Sequence, residues 1–376
     1  MTDAALQPDR IDGAPHPRET PVLLGQAAAE QAFLQAFNSG KLHHGWLITG
    51  PRGVGKATLA WRIARFLLAT PPAEAGFFAA PVPESLDVAP AHPVARRIAS
   101  GGESRLKSIT RSLNPDTKRL RKQIVVDDIR ALSSFFQLSA ADGGPRVVII
   151  DDADQMNPSA ANALLKMLEE PPARAVLLLI SHRPSGLLPT LKSRCRTLRL
   201  RGLSADEMDA ALSAAGVEPQ EIGPGLADLA GGSVGEAIKL SQAGGLALYA
   251  EIIAILDSLP RLDRKRAIAL AEASAQCGSE EKLALFFRLV DVALARLALA
   301  GALGGTLVPE AAPGEHAMLR RLSPSPPAAR VWADLAQEVS ARATHGLAVN
   351  LDPAALVLDT LQKIAGAAPR QDAGET

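Results

Sequence analysis

The segment LITGPRGVGKATLA, residues 47–60, carries residue types that bind phosphate. It fits the pattern G-x-x-x-x-G-K-[ST] at Gly50, Gly55 and Lys56, with Gly53 as a further glycine inside the loop. Backbone N–H groups in such a loop, at the start of a helix, form a nest for anions, and Lys56 would contact the β- and γ-phosphates of a nucleotide. The segment therefore predicts a nucleotide site. The alternative is a glycine-rich turn between strand and helix that binds nothing.

The residue after the lysine departs from the pattern. Ala57 stands where Ser or Thr would give Mg²⁺ a hydroxyl ligand. Thr58 can add a hydrogen bond to phosphate, but it does not occupy the metal-ligand position. We therefore expect impaired Mg²⁺ binding and hydrolysis, with weak ATP binding retained.

Two acids follow the apolar run VVII, residues 147–150. In P-loop proteins an acid at the end of a buried parallel strand holds Mg²⁺, and Asp151 fits that position. ATPases of this kind often carry Glu next, where it orients the attacking water, whereas this chain has Asp152. Because catalysis tolerates little misplacement, the shorter side chain alone could lower the rate by about two orders of magnitude. The alternative is that both acids only cap the turn after the strand.

A third candidate, Arg194, lies in LKSRCRT, residues 191–197, between a loop and a strand edge. The commoner role of a lone arginine is that of a structural ion-pair donor. Such an arginine can also act as an arginine finger on the γ-phosphate of a nucleotide bound to a neighbouring subunit. The residues themselves leave the two roles open.

Uniformly apolar strands alternate with helical segments around these candidates. GWLITG, RVVII, AVLLLIS and TLRLR predict buried strands, which argue for a parallel sheet covered by helices on both faces. After residue 201 only helical segments follow. We therefore predict an α/β P-loop core over 21–201 after a loose N-terminus over 1–20, then a small helical domain over 202–245 and an all-α domain over 246–376.

Residues 70–118 differ from the rest of the predicted core. TPPAEAGFFAAPVPESLDVAPAHP is rich in Pro and Ala with weak periodicity, so an irregular insertion is expected. A basic run overlaps its end and comprises Arg105, Lys107, Arg111, Lys118, Arg119, Arg121 and Lys122. The sequence leaves open whether this run is a solvated helix face or a surface for DNA or a partner.

Composition narrows the class of protein. The 376 residues are 47% hydrophobic and 21% charged, which suits a globular chain of two or three domains. The formal net charge is +0 and aromatics make up 3%, so neither bulk charge nor base stacking indicates a nucleic-acid binder. Two cysteines exclude a disulfide framework and a Cys₄ zinc site.

Targeting signals are not evident. The first 20 residues lack the apolar core of a signal peptide. The most apolar long stretch, residues 283–308, contains Arg288, Asp291 and Arg296, so it predicts a buried helix and not a membrane span. We expect a cytoplasmic protein with no membrane contact.

Three segments in this order resemble the AAA+ clamp-loader family of DNA replication: KLHHGWLITGPRGVGKATLA, VVIIDDADQMNPSAANALLKMLEEPP and LLPTLKSRCR. The match runs through most of residues 22–240, and NLDPAALVLDTL near the C-terminus is similar to a segment of bacterial clamp-loader subunits. The resemblance implies an AAA+ core over 21–201, a lid over 202–245 and a collar domain over 246–376. SRC is that family's arginine-finger motif, which puts the finger on Arg194.

The resemblance also implies a type of subunit. Motor subunits of the family keep Ser or Thr after the loop lysine, Glu after the strand acid, and an arginine in the lid helix. The corresponding residues here are Ala57, Asp152 and Gly235. The region called sensor 1 offers Ser181 and His182 instead of the usual Thr-Asn type. A chain that lacks these hydrolytic parts but keeps Arg194 resembles the non-motor members.

The function implied by the resemblance is that of a non-motor subunit in the clamp loader of DNA polymerase III. Such a subunit completes a hetero-oligomeric ring with tau/gamma motor subunits and a delta subunit, and the ring loads the sliding clamp onto primer–template DNA. The four-cysteine zinc module of many members would fall around residues 70–105, which contain no cysteine, so we expect no zinc.

Two other functions stay open. A motor ATPase in its own right would need Thr58 to replace the lost hydroxyl. A DNA-binding adaptor of repair or recombination would use the basic run over 105–122, although the neutral net charge weakens it. ATP turnover by the isolated chain would favour the first, and a salt-dependent affinity for DNA would favour the second.

Overall fold

The computed structural model describes residues 10–70, 82–137, 144–217, 225–274, 280–305, 309–349 and 351–368. These residues form two compact units. The first unit runs to Gly216 and also includes Gly232–Glu236. The second takes the described part of Val217–Gly231 and continues from Ala237. All the candidate site residues named above lie in the first unit.

The first unit is built on a five-stranded parallel sheet with the strand order β2-β3-β4-β1-β5. The strands are β1 (Gly45–Thr49), β2 (Leu106–Ile109), β3 (Arg146–Ile150), β4 (Ala175–Ser181) and β5 (Arg196–Arg199). Every residue of β1, β3 and β4 is buried, as expected of central strands covered on both faces. Because the strands are parallel, β1, β4 and β3 all end at the same edge of the sheet.

Helices flank this sheet. Those in the described part of the first unit are α1 (Ala27–Asn38), α2 (Lys56–Ala69), α3 (Pro93–Ala99), α4 (Val126–Gln137), α5 (Pro158–Glu169), α6 (Pro189–Ser193) and α7 (Ala205–Ala214). The side chain of Asn157 accepts a hydrogen bond from the Ala160 N–H and caps α5, as its sequence predicts. Ser204 and Glu207 form a capping box at the start of α7. The predicted fold class, a parallel α/β core followed by helices, is confirmed.

The segment 70–118 is more regular than expected, and residues 71–81 of it lie outside the described residues. Its second half supplies α3 and then β2, which pairs with β3 at the edge of the sheet. An edge strand is only partly buried, so β2 lacks the continuous apolar run that marks the central strands. The apolar segment QIVV, residues 123–126, does not form a strand either: Ile124 makes only an isolated bridge to Met156 before α4 begins.

The described part of the second unit is helical. Its helices are α8 (Leu226–Leu229), α9 (Val234–Gln242, which begins in the first unit), α10 (Gly245–Asp257), α11 (Arg264–Ser274), α12 (Glu280–Leu303), α13 (Glu315–Leu322), α14 (Pro326–Ala348) and α15 (Pro353–Ala367). Helix α12 confirms the predicted buried helix, and it packs along α14. In the described chain no single helix is long and apolar enough to cross a membrane, although α9 and α10, bent by 79°, pass that test of length and composition as a pair.

A buried ionic network around Glu315 holds the second unit together. The Glu315 side chain is fully buried, and Arg296 of α12 donates to both carboxylate oxygens, at 2.7 Å and 3.1 Å. The Tyr249 hydroxyl of α10 donates to Oε1 at 2.5 Å, and the Ala311 N–H donates to Oε2 at 2.7 Å. Burial, followed by the Glu315 carboxylate, raises the pKa of Tyr249. Three helices therefore meet at one satisfied carboxylate.

We expect Glu315→Ala to lower the free energy of unfolding by about 3–5 kcal/mol, because the buried Arg296 guanidinium loses its counter-charge. Tyr249→Phe removes one hydrogen bond from the same carboxylate and should lower it by about 1–2 kcal/mol. Urea unfolding of both variants beside the natural chain measures the two losses. Equal losses would show that charge balance is not the dominant contribution of this network.

Candidate functional site

The predicted phosphate loop connects β1 to α2, in the strand–loop–helix order that its motif requires. Gly50 follows β1, and Gly53 and Gly55 adopt φ angles of +70° and +97°, which residues with a side chain rarely enter. A Cβ atom on Gly53 would lie 2.3 Å from Ser233 Oγ, and one on Gly55 would lie 2.5 Å from Leu23 Cδ1. Backbone conformation and close neighbours both require glycine at these two positions.

Lys56 turns back onto its own loop. Its ammonium group donates to the Gly50 carbonyl at 2.7 Å and also to the Pro51 carbonyl. The side chain is 3% exposed, and burial lowers the pKa of Lys56 to about 8 although Asp151 and Asp152 oppose the shift. The lysine that would hold phosphates is therefore engaged by the loop itself. Ala57 and Thr58 follow it in the first turn of α2.

Asp151 and Asp152 follow β3, at the same edge of the sheet as the loop. The Asp152 carboxylate caps a short 3₁₀ turn, since it accepts from the Asp154 N–H at 2.8 Å and from the Gln155 side chain at 3.0 Å. The Arg52 guanidinium in the loop lies 3.6 Å from it. Burial, and next the charge of Asp154, raise the pKa of Asp152. The capping role that the sequence left open is thus present in the geometry of Asp152.

Asp154, which the sequence analysis did not single out, ties the ends of β3 and β4 together. Its carboxylate accepts from the Ser181 hydroxyl at 2.7 Å and from the N–H groups of His182 and Arg183 at 2.5 Å and 3.0 Å. Burial alone would raise the pKa of Asp154, but these hydrogen bonds outweigh it and lower the pKa below its ordinary value. The sequence offered one signal for Asp154: it is the third acid of the segment DDAD, which directly follows a predicted strand.

His182 completes the cluster. Its Nε2 atom lies 3.3 Å from Asp152 Oδ2. Burial, and then the charges of Lys56 and Arg52, lower the pKa of His182 to about 4, so the ring is neutral at pH 7. The contact is therefore a close polar approach of a neutral ring and not an ion pair. Within the described ranges, no group of three or more His, Cys, Asp or Glu side chains is arranged to hold a metal ion.

Backbone occupies the place where a lid arginine is expected. The Gly235 N–H donates to the Gly53 carbonyl at 3.1 Å. A Cβ atom on Gly235 would lie 2.6 Å from Ile11 Cδ1 and 3.1 Å from Gly53 Cα, so a side chain here would displace Ile11 and crowd the Gly53 backbone. With Lys56 turned inward and no hydroxyl at Ala57, the loop in this conformation does not fit Mg·ATP.

Arg194 lies at the opposite edge of the sheet, between α6 and β5. Its carbonyl oxygen would be 3.1 Å from a Cβ atom on Gly45, the first residue of β1, whereas the phosphate loop follows the last residue. The five residues of β1 separate the two by about 13–16 Å. The guanidinium pairs with Glu169 at 2.8 Å and donates to the Thr190 carbonyl at 3.2 Å, with 36% of the side chain exposed. Arg194 is therefore remote from the phosphate loop of its own chain.

The comparisons with known proteins agree with these features. Residues 25–204 match a family model described as DNA polymerase III, delta subunit. The chain is 37% identical over 217 residues to the DNA polymerase III subunit delta′ of Pseudomonas aeruginosa, which is 56% of this chain and 59% of that one. It is 31% identical over 205 residues to the delta′ subunit of Bacillus subtilis, covering 54% and 55%. It is 28% identical over 271 residues to the tau subunit of Escherichia coli, covering 70% and 39%.

The match thus spans less than two thirds of the length of each of these relatives. Among solved structures, a DNA polymerase III gamma subunit-related protein of Thermotoga maritima gives a TM-score of 0.39 at 18% identity, covering 89% of this chain and 99% of that one. The RuvB Holliday junction branch migration motor of the same organism gives 0.38 at 16%, covering 84% and 91%. At these TM-scores neither structure adds to the description of this chain.

A phosphate loop after β1, acids at the end of β3 two strands away in the same parallel sheet, and the helices that flank the sheet define an α/β P-loop fold. Over residues 25–204 the chain resembles clamp-loader subunits of DNA polymerase III. Over this region the chain is similar to the δ′ subunits of bacterial DNA polymerase III.

Asp152 and Asp154, two residues apart, allow a matched pair of substitutions. We expect Asp154→Asn to lower the free energy of unfolding by about 2 kcal/mol, because an amide cannot replace an ionised acceptor of three hydrogen bonds. Asp152→Asn should change it by less than about 1 kcal/mol or stabilise slightly at pH 7, since burial disfavours the charge it removes. Urea unfolding at pH 7 measures both.

The pH dependence checks the sign of the Asp152 effect. The folded state raises the pKa of Asp152, so its charge is unfavourable to folding at pH 7 and that penalty disappears as the group becomes neutral in acid. Any gain from Asp152→Asn should therefore shrink as the pH falls from 7 towards 4. A gain that grows over this range would contradict the assignment.

Proposed function

We propose that this chain is a δ′-type, non-motor subunit of the DNA polymerase III clamp loader, which helps to load the sliding clamp onto primed DNA. The proposal rests on the separation between the phosphate loop and Arg194. Lys56 and Gly235 close the chain's own phosphate loop, whereas Arg194 lies partly exposed at the opposite edge of the sheet. A chain built in this way is suited to act on a nucleotide that a neighbouring subunit binds.

Arg194 would place positive charge at the γ-phosphate of ATP on an adjacent motor subunit, where negative charge is spread over the transferred group in the transition state. In the free chain Glu169 holds the guanidinium at 2.8 Å. A partly exposed pair of this kind contributes only about 0–1 kcal/mol, so Arg194 can exchange its carboxylate for a phosphate at little cost. Glu169 thus orients the Arg194 guanidinium in the chain before a partner binds.

The partners follow from the same proposal. Tau/gamma motor subunits and a delta subunit would complete the ring, and the relatives of this chain carry the names of delta′, tau and gamma subunits. The helical second unit would supply the collar contacts that hold the ring together. The sliding clamp and primer–template DNA would be the objects on which the assembled ring acts.

The first test is Arg194→Ala in a clamp loader reconstituted from this chain, its motor subunits and its delta subunit. The site facing Arg194 should lose about 10³–10⁵ in hydrolysis rate, the usual contribution of an arginine finger. The DNA-stimulated ATPase of the complex should fall accordingly, while size-exclusion chromatography shows an intact assembly. Arg199→Ala, which removes an exposed arginine of β5, is the matched control and should leave the rate unchanged. Normal ATPase and clamp loading by Arg194→Ala would refute the finger.

A second test concerns the chain's own loop. The isolated natural chain and an Ala57→Thr variant should both show no ATP turnover with Mg²⁺ and primed DNA. Restoring the hydroxyl leaves Lys56 bonded to its own loop and leaves Gly235 without an arginine side chain. Turnover is measured by phosphate release. Clear release by the natural chain would identify a motor ATPase instead.

A further inference from the structure

The C-terminal end of α5 is short of hydrogen-bond donors for its last carbonyl groups. The last four C=O groups of a helix have no partner inside the helix, and the residues that follow often donate back to them. Here the Glu170 N–H donates to the Lys166 carbonyl at 3.0 Å, but Pro171 and Pro172 come next and have no N–H. A donor for the carbonyl of Leu168, which is 2% exposed, therefore comes from another element.

His44, just before β1, is placed to supply that donor. Its Nε2 atom lies 3.0 Å from the Leu168 carbonyl oxygen. Burial lowers the pKa of His44, so the ring is neutral at pH 7 and a bond to a carbonyl puts its one proton on Nε2. The His44 main chain is held as well, because its own carbonyl accepts from the Leu177 N–H of β4 at 2.7 Å. His44 thus ties the end of α5 to the edge of the sheet where β1 begins.

Gly45, the next residue, brings the Arg194 backbone to the same place. A Cβ atom on Gly45 would lie 2.8 Å from Leu168 Cδ2 and 3.1 Å from the Arg194 carbonyl oxygen. The lack of a side chain at Gly45 therefore lets the end of α5 and the turn before β5 both approach the start of β1. His44 and Gly45 together fix the backbone on the two sides of the Arg194–Glu169 pair.

The Arg194–Glu169 pair depends on these two anchors. Glu169 directly follows Leu168, and its carboxylate lies 2.8 Å from the Arg194 guanidinium. The side chains are 48% and 36% exposed, and such a pair is too weak to fix either long side chain by itself. The backbone from which each side chain starts is what the fold holds in place. Loss of the hydrogen bond at Leu168 would release the last turn of α5, and with it the Glu169 carboxylate.

We infer that His44 is a positioning residue for Arg194, because its hydrogen bond to the Leu168 carbonyl holds Glu169 where that carboxylate orients the guanidinium. This inference rests on the proposed function, in which Arg194 acts on a nucleotide bound to a neighbouring subunit. His44 acts through Glu169 and not by contact with the nucleotide. Since a misplacement of about 1 Å can cost about a hundredfold in rate, a small shift of Arg194 is enough to matter. The alternative is a helix cap that only stabilises the fold.

The variants His44→Phe and His44→Gln test this role in the reconstituted clamp loader. Phe keeps a ring and loses the donor, whereas the Gln amide nitrogen is as many bonds from Cα as the imidazole Nε2 and still donates. The matched control is His92→Phe. His92 is also half-buried and in the same unit, and its Nδ1 atom accepts from the Val94 N–H at 3.2 Å to cap α3. Both Phe variants thus lose one helix-capping hydrogen bond.

His44→Phe should lower the kcat of DNA-stimulated ATP hydrolysis towards that of Arg194→Ala, by about 10–100-fold at the site that faces Arg194. The KM for ATP should not change, because the neighbouring subunit binds the nucleotide. His44→Gln should restore most of the rate, and His92→Phe should leave it unchanged although it loses a similar amount of stability in urea. In an Arg194→Ala background His44→Phe should cost nothing further, since no guanidinium is left to position.

The orientation of Arg194 is measured separately, in the free ¹⁵N-labelled chain, by NMR of its guanidinium N–H groups. These resonances should shift in His44→Phe much as in Glu169→Gln, and stay in place in His44→Gln and His92→Phe. Unshifted resonances in His44→Phe, an equal rate loss in His92→Phe, no rescue by Gln, or a further loss in the double variant would each overturn the inference. If Arg194→Ala leaves the ATPase unchanged, the proposed finger fails, whereas the resonances of the free chain still decide whether His44 positions Arg194.

Discussion

The parallel pairing of β1, β4 and β3 is the constraint on which the candidate site depends. Since parallel strands end at one edge of a sheet, the pairing brings Lys56, Asp151, Asp152 and His182 together although they are far apart in sequence. The same pairing places the start of β5, and with it Arg194, at the other edge. One sheet thus keeps the phosphate loop and Arg194 of a single chain apart, which supports the proposal that Arg194 acts on a nucleotide bound by another chain.

At the loop side of the sheet, the charged groups are engaged by contacts within the chain. Lys56 is buried among acids and already bonded to loop carbonyls, so phosphates would have to displace contacts that the chain itself supplies. Asp154 is held ionised by three hydrogen bonds, and His182 is neutral. The polar groups on this side of the sheet are thus engaged by contacts within the chain. The absence of a hydroxyl at Ala57 is one part of this arrangement and not the whole of it.

Sequence reasoning recovered the elements whose signals are local. Central strands are buried on both faces and read as continuous apolar runs, and caps such as Asn157 depend on residues three positions away. It missed β2, because an edge strand has no such run, and it missed Asp154, whose partners come from the end of β4. In the sequence, Gly235 was notable only because it stands where the family's lid arginine is expected. That its backbone packs on Gly53 is a tertiary contact which no local pattern encodes.

The environment of each arginine in this chain decides what that arginine can do. Arg296 is buried with Glu315, which also accepts hydrogen bonds from the Tyr249 hydroxyl and the Ala311 N–H. Removal of either charge would leave the other buried without a counter-charge, so the pair is structural. Arg194 shares a partly exposed pair with Glu169, which orients the guanidinium but holds it weakly. Burial and pairing, more than residue type, therefore separate the arginines that stabilise the fold from those available to a partner.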